Sequence, residues 1–408
     1  MAHNTDFRTA YDFLVKIYRD KAYLHVVMQE NRNKRVKKIV CGVLDKQYEL
    51  NYILDLFSDK KIKNNVRPLG LIALYALRHM KTPAPVVVSE TNETLGSIGK
   101  GALKGYFGAL IRRAESEEVP MPNKSDKRYV EVKYNLPSWL VGMYRKDYPD
   151  TFEALLAVPQ YSYAHVCLGK KGTEEEVLEA DPSAKKTPVG YFVKKNKEID
   201  WLVFAGKLQY IGYGSALIAE SVGAKPGMKI LDCCAAPGGK SVYMAKMGAK
   251  VTACDVHDHR VDLLRGYADK MGVGMDIFKQ DATKTVHKWL GAFDAVLADV
   301  PCSGLGVIDK KRDIVLNRTY DDILQLSELQ YSILENVSGY VKSGGVLIYS
   351  TCTVFSMENG KNIEKFLNAH KEFTKETLPV PYKNDGEIQF LPDGKGMEGF
   401  YLCKMRKK

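Results

Sequence analysis

The chain has 408 residues, too many for one typical core, so two or three domains are expected. Sixty Lys and Arg against 49 Asp and Glu leave a formal charge of +11, a field that favours polyanions. There is neither an apolar run of about 18 residues nor a basic-then-apolar segment at the start, which excludes a membrane-spanning or secreted reading and predicts a soluble cytoplasmic protein.

Eight cysteines (Cys41, Cys167, Cys233, Cys234, Cys254, Cys302, Cys352 and Cys403) form no CxxC pair, so neither a metal site nor a disulfide framework is expected. From residue 6 to about 115, apolar residues recur at helical spacing, as in Tyr11, Leu14, Val15 and Tyr18, or Leu69, Ile72, Ala73, Tyr75 and Ala76. An all-α domain over 1–122 follows. The polar, proline-bearing stretch 115–127 reads as a linker. Helical patterning resumes over 136–160, and a charged, alternating stretch with Val189, Tyr191, Phe192 and Val193 comes next, so 128–215 is read as a small α+β adaptor. From 227 onward, strands at 229–233, 250–254, 275–278, 295–298 and 345–349 alternate with helices that include 258–271, 320–341 and 357–370. This alternation specifies a Rossmann-like α/β domain over 216–408, with a doubly wound, mainly parallel sheet. Four basic clusters, 32–38, 60–67, 310–312 and 404–408, together suggest a phosphate-binding surface.

Residues 230–241, Ile-Leu-Asp-Cys-Cys-Ala-Ala-Pro-Gly-Gly-Lys-Ser, read as a strand, a tight loop of small residues and a helix start. Such a loop lets a ligand approach the backbone, and the helix amides hold an anionic group. The plainer reading is an ordinary βα turn. Against it, Asp255 ends the next strand, where an acid hydrogen-bonds ribose hydroxyls, and Asp281 follows the third strand. A dinucleotide needs a longer bare loop than Ala235, Ala236 and Pro237 allow. The loop therefore suits a nucleoside without phosphates, such as S-adenosyl-L-methionine, with Asp255 on the ribose and Asp281 on the adenine amino group.

Buried strand cysteines such as Cys233, Cys254 and Cys403 are read as inert packing. Cys302 and Cys352 differ, because each sits just past a strand beside polar or helix-breaking residues, where the carboxyl ends of a parallel sheet converge on one pocket. Carbon 5 of a pyrimidine is a poor nucleophile. Adding a thiolate to carbon 6 makes carbon 5 electron-rich enough to attack a sulfonium methyl, and a second thiol can assist the later elimination. Asp299, three residues before Cys302, hydrogen-bonds the base's amidine edge if protonated, supplies a charge contact if not, or caps a helix.

Taken together, Asp-x-Cys-Ala-Ala-Pro-Gly-Gly-Lys (232–240), Asp-x-Pro-Cys-Ser-Gly (299–304) and Ser-Thr-Cys-Thr (350–353) resemble the RNA 5-methylcytosine methyltransferases of the RsmB/Sun type. The likeness runs from about residue 200 to the end and includes Gly399-Phe400-Tyr401. The helical 6–114 unit resembles, more loosely, that family's NusB-like RNA-binding domain, through 41–44 and 105–113. The resemblance implies that Cys352 is the nucleophile and that Cys302 aids product release. It implies a cofactor pocket of Cys234, Ala235, Ala236, Pro237, Gly238, Gly239, Lys240, Asp255, Asp281 and Asp299, with Lys240 also near the target base. Arg260 follows Asp255 as in the family's second motif, and an ordinary helix-surface arginine is the other reading. The implied substrate is 16S ribosomal RNA, cytosine 967 being the family's usual target. S-adenosyl-L-methionine would become S-adenosyl-L-homocysteine on a metal-free monomer, and the cytosine must leave its stack to expose carbon 6.

Two segments depart from the family pattern. Ile211-Gly212-Tyr213-Gly214-Ser215 lacks the Gln and Asp of Val-Gln-Asp-x-Ser, and His165-Val166-Cys167 stands in place of Arg-Val-Asn. Both lie outside the thiols and the cofactor loop. Competing readings are an RNA-binding assembly factor with an inactive methyltransferase fold, a methyltransferase for another RNA, a DNA cytosine methyltransferase and a nicotinamide dehydrogenase.

Overall fold

The computed structural model describes residues 5–29, 31–157, 163–169, 171–308 and 312–408. Two compact units divide the chain: Met1–Asp150 with Ile308–Tyr320, and Thr151–Val307 with Asp321–Lys408.

The first unit is helical, with principal helices Asp6–Asp20, Lys34–Asp45, Gln47–Leu56, Arg67–Arg78, Ala84–Ser97 and Lys104–Ser116. Their apolar stripes meet in one core, where Phe7, Leu14, Ile39, Leu50, Leu54, Ile72 and Phe107 are fully buried. Polar caps start two of these helices. Thr5 accepts the Arg8 amide at 3.2 Å, and the Asn33 side chain accepts the amides of Arg35 and Val36. At Gly42 a Cβ would fall 1.9 Å from the Tyr75 ring, so glycine permits the approach of Lys34–Asp45 to Arg67–Arg78.

This unit runs on past the polar stretch expected to divide the domains. Residues 117–127 hold no helix or strand, but the next helix, Arg128–Tyr134, packs back on Gln47–Leu56. Asn135, left-handed at φ 53°, accepts the Tyr48 and Glu49 amides at 3.1 and 3.2 Å and so caps that helix from elsewhere in the chain. Consequently the compact units part at Asp150. The 3-10 turn Arg312–Leu316 also belongs to the first unit, where the Asp313 carboxylate accepts the Leu24 amide at 2.9 Å.

The second unit opens with a four-stranded antiparallel sheet, order β2-β3-β1-β4, from β1 (Ala164–Leu168), β2 (Lys185–Thr187), β3 (Gly190–Val193) and β4 (Leu208–Tyr210). Then come β5 (Lys229–Asp232), β6 (Lys250–Asp255), β7 (Asp276–Lys279), β8 (Phe293–Asp299), β9 (Val341–Thr351), β10 (Phe373–Lys375), β11 (Glu387–Phe390) and β12 (Phe400–Lys407). They form one sheet in the order β10-β12-β9-β8-β5-β6-β7, with β11 beside β12. The five strands from β7 to β9 are parallel, and β12 closes the edge antiparallel to β9.

Helices Tyr213–Ser221, Gly239–Lys246 and Asp258–Lys270 cover one face of this sheet through Leu217, Met244 and Leu264; Tyr320–Ser338 and Gly360–Ala369 cover the other through Ile333, Leu334, Ile363 and Phe366. With both faces covered, the strands read as continuous apolar runs. Strand order reverses between β5 and β8, which places the ligand crevice at the carboxyl ends of β5, β6, β8 and β9.

The charge clusters divide. Arg32, Lys34, Lys37, Lys38, Lys60, Lys61 and Lys63 are exposed. In the 404–408 cluster, expected to add to a phosphate surface, β12 engages three cations: Lys404 Nζ meets Glu376 at 3.0 Å, Arg406 pairs with the same carboxylate, and Lys407 donates to the Val341 carbonyl, while Arg406 and Lys408 stay exposed. Of the 310–312 cluster, Lys310, Lys311 and the Arg312 side chain lie outside the described residues. Among the described residues, no helix is long and apolar enough to cross a membrane.

Candidate active site

Two strands ending side by side bring the two singled-out thiols together. β8 and β9 pair in parallel register, Asp299 opposite Ser350, so the turns that follow them share one edge. Cys302 Sγ lies 3.1 Å from Cys352 Sγ, and the Cys352 amide donates to Cys302 Sγ at 3.3 Å. Both are free thiols, and both are partly exposed. Hydrogen bonding to Cys352, then burial, holds the Cys302 thiol well above the ordinary cysteine range. Cys302 therefore keeps its proton when a neighbouring sulfur carries charge.

Lys240 links this edge to the β5 loop. Its ammonium donates to Asp299 Oδ2 at 2.6 Å, and Ser350 donates to Asp299 Oδ1 at 2.7 Å. Burial pulls the Lys240 ammonium down, but the Asp299 carboxylate overcomes this and raises it, with a further contribution from Cys352. Lys240 is thus a fixed cation beside the nucleophile candidate. Asp299, left open between three roles, is observed as the acceptor between Lys240 and Ser350.

The loop itself is held on both sides. The Ala235 amide donates to the Cys254 carbonyl at 2.7 Å, Ala236–Pro237 is a cis peptide, and Gly238 takes φ 113°. Arg260 donates to the Ala236 carbonyl at 2.9 Å and lies 3.4 Å from Asp255 Oδ2, so it braces the loop against the acid and is not a plain surface residue. Asp255 is 3% exposed at the carboxyl end of β6. Asp281 Oδ1 is already engaged by the Thr283 amide and hydroxyl, which hold its carboxyl below the usual range. Asp232 accepts the Ser241 hydroxyl at 2.6 Å, while burial pushes its carboxyl up to about 7.

Several residues that shape the site escape a reading of motifs. Gln209, on β4, donates to the Gly239 carbonyl at 2.7 Å and fixes the loop's helix end. Glu358, Asn359 and Gln330 form a buried polar cluster behind the thiols: Ser303 donates to Glu358 through both amide and hydroxyl, Gln330 donates to Glu358 and to the Pro301 carbonyl, and Thr351 donates to Asn359. The one available signal was a Glu-Asn pair soon after a strand ending in a thiol. Gly306 and Gly399 close the region. The Gly306 amide donates to the Cys352 carbonyl at 3.0 Å, and a Cβ on Gly306 would lie 2.0 Å from the Gly399 oxygen.

A doubly wound sheet, a small-residue loop at the switch point and polar groups at the neighbouring strand ends define a Rossmann-type methyltransferase domain behind a helical domain. The sequence profile of the family described as 16S rRNA methyltransferase RsmB/F matches residues 221–406, and that of the NusB family matches residues 6–116. Residues 221–406 thus form an RsmB/F methyltransferase domain, and a NusB-family domain lies at its N-terminal side in the chain. It is 29% identical to "Probable ribosomal RNA small subunit methyltransferase B" of Bacillus subtilis (strain 168), over 98% of each chain. It is 26% identical to "Ribosomal RNA small subunit methyltransferase B" of Proteus mirabilis (strain HI4320), over 87% of this chain and 89% of that one. Among solved structures it resembles that of PH0851 at 24% identity and TM-score 0.83 over 98% of each chain. NSun6 from Pyrococcus horikoshii with SFG matches at 17% identity and TM-score 0.58, over 67% of this chain and 98% of that one.

Proposed function

We propose that the protein methylates carbon 5 of a cytosine in 16S ribosomal RNA, using S-adenosyl-L-methionine and a transient bond between Cys352 and carbon 6 of the base. The observation that carries this reading is the 3.1 Å approach of two thiols from adjacent strands, beside the Lys240–Asp299 pair. A single packed cysteine would need no such partner. The names of the relatives support ribosomal RNA of the small subunit as the substrate.

The groups around the β5 loop suit this methyl donor. Lys240 and Arg260, two cations at the loop, are already paired with Asp299 and Asp255, so neither is spare to neutralise a diphosphate. Asp255 would hold the ribose, Asp281 the adenine side through the carboxylate oxygen not bound by Thr283, and 234–240 the methionyl end. When bound, the donor supplies an electrophilic methyl on a sulfonium centre.

The chain's own residues handle the base. Cys352, as the thiolate favoured by the Lys240 cation, adds to carbon 6, and the electron pair of the 5,6 double bond moves toward carbon 5, which takes the methyl. Bonding to the base removes the Cys352 charge that held the Cys302 proton, so Cys302 releases that proton to solvent. It then accepts the hydrogen of carbon 5 as a proton. The C–H pair restores the double bond, and the Cys352 sulfur departs with its bonding pair. One proton is released per turnover. Asp299 faces the amidine edge of the base and orients it.

Replacing Cys352 by Ala is expected to abolish methyl transfer to 16S RNA, while calorimetric titration shows S-adenosyl-L-methionine binding unchanged. Methylation surviving in that variant, or transfer to DNA of matched sequence as efficient as to RNA, would overturn the reading.

A further inference from the structure

Cys302 sits in a segment, 300–304, that belongs to no helix or strand, yet its sulfur is held 3.1 Å from Cys352. Besides the Cys352 amide on its sulfur, one buried side chain gathers the bonds that hold its neighbours. Glu358 is fully buried and accepts the Ser303 amide at 2.8 Å on Oε1 and the Ser303 hydroxyl at 2.6 Å on Oε2. Gln330, also fully buried, donates to Glu358 Oε1 at 2.9 Å and to the Pro301 carbonyl at 3.0 Å, so both neighbours of Cys302 are tied to the same cluster. The Glu358 carbonyl is itself fixed by the Tyr349 hydroxyl at 2.5 Å, and Tyr349 lies on β9, the strand that delivers Cys352.

These donors are neutral amides and hydroxyls. A carboxylate that far from water is costly unless its oxygens are fully used, and here they pin one loop to the other.

We propose that Glu358 is a positioning residue that sets Cys302 against Cys352, so that its loss stalls release of the methylated RNA and not formation of the covalent bond. This rests on the roles given to the two thiols under the proposed function. Glu358 touches no reacting atom. Its charge also adds to what holds the Cys302 proton, which fits a group that must act late in the cycle.

The test compares Glu358→Gln, Ser303→Ala and Cys302→Ala with the unaltered full-length chain on 16S RNA with S-adenosyl-L-methionine. The glutamine keeps the shape but faces the Ser303 and Gln330 donors with an amide in place of one oxygen; the Ser303 variant removes one of two bonds and spares the carboxylate. In both, kcat should fall roughly tenfold to a hundredfold and KM for RNA should fall with it, leaving kcat/KM unchanged, while a covalent protein–RNA species accumulates on a denaturing gel as it does for Cys302→Ala. A lower melting temperature with no accumulated adduct in either variant, alongside a clear adduct in Cys302→Ala, overturns the role of Glu358 alone. An absence of adduct in Cys302→Ala overturns the thiol roles and this inference with them.

Discussion

At the scale of single residues, the site is a contest between burial and pairing. The Lys240 side chain is 15% exposed, and its ammonium stays charged because the Asp299 carboxylate lies 2.6 Å away. Removing that carboxylate by Asp299→Ala leaves a desolvated cation beside Cys352. The expected cost is about 2 to 3 kcal/mol, less than for a fully enclosed pair because Asp299 is 26% exposed, and a urea titration measures it. The same variant should bind S-adenosyl-L-methionine yet lose most of its turnover, since Ser350 and Lys240 both lose their shared acceptor. A variant as stable and as active as the unaltered chain would contradict this account of the pair.

Much of this chemistry is legible in the chain itself. Cys302 and Cys352 each follow an apolar run, and the rule that parallel strands end on one edge suffices to bring them together. Arg260 is different. Its spacing after Asp255 is compatible with a surface position, and only the folded helix turns its guanidinium onto the Ala236 carbonyl. Glu358 and Gln330 are less legible still, because a buried charge has the same letters as an exposed one and its partners lie 55 and 28 residues away.

At the scale of elements, hydrophobic pattern reports strands well when both neighbours are strands and poorly when charge intrudes. β5, β6, β8 and the core of β9 are visible as short apolar runs flanked by turns. β12 is not, because Lys404, Arg406 and Lys407 disguise a strand whose Tyr401, Leu402, Cys403 and Met405 are buried on both faces. Pairing with Glu376 and with backbone carbonyls is what lets those cations sit there.

Helix ends carry a second instance of pairing, and one with a pH signature. His370 caps Gly360–Ala369 and lies 2.9 Å from Glu335 and 3.1 Å from Glu372. Burial alone lowers its imidazole, but the Glu335 and Glu372 carboxylates outweigh that and raise it above 6.5. A raised value in the folded state means stability that is complete below 6.5 and disappears as pH climbs through the raised value. The urea midpoint should therefore fall between about pH 6 and pH 9 by an amount absent from His370→Gln, a difference worth about 1 kcal/mol. Identical pH profiles for the two proteins would contradict it.

At the scale of the whole molecule, one chain combines a helical unit whose exposed cations suit a phosphate backbone with a methyltransferase unit that holds the chemistry. Net charge pointed to a polyanion but could not locate the surface, because β12 turns Lys404 and Lys407 of one basic cluster to partners within the fold. Nor could a polar, proline-bearing stretch mark where the compact units part, since the Asn135 cap ties later helices to earlier ones. The central claim is narrower than either unit: the sulfur that bonds the RNA is Cys352. Peptide mapping by mass spectrometry of the RNA-linked species trapped by Cys302→Ala tests it most directly. The account predicts a cytidine-derived mass on the peptide containing Cys352, and a linkage at any other residue would contradict it.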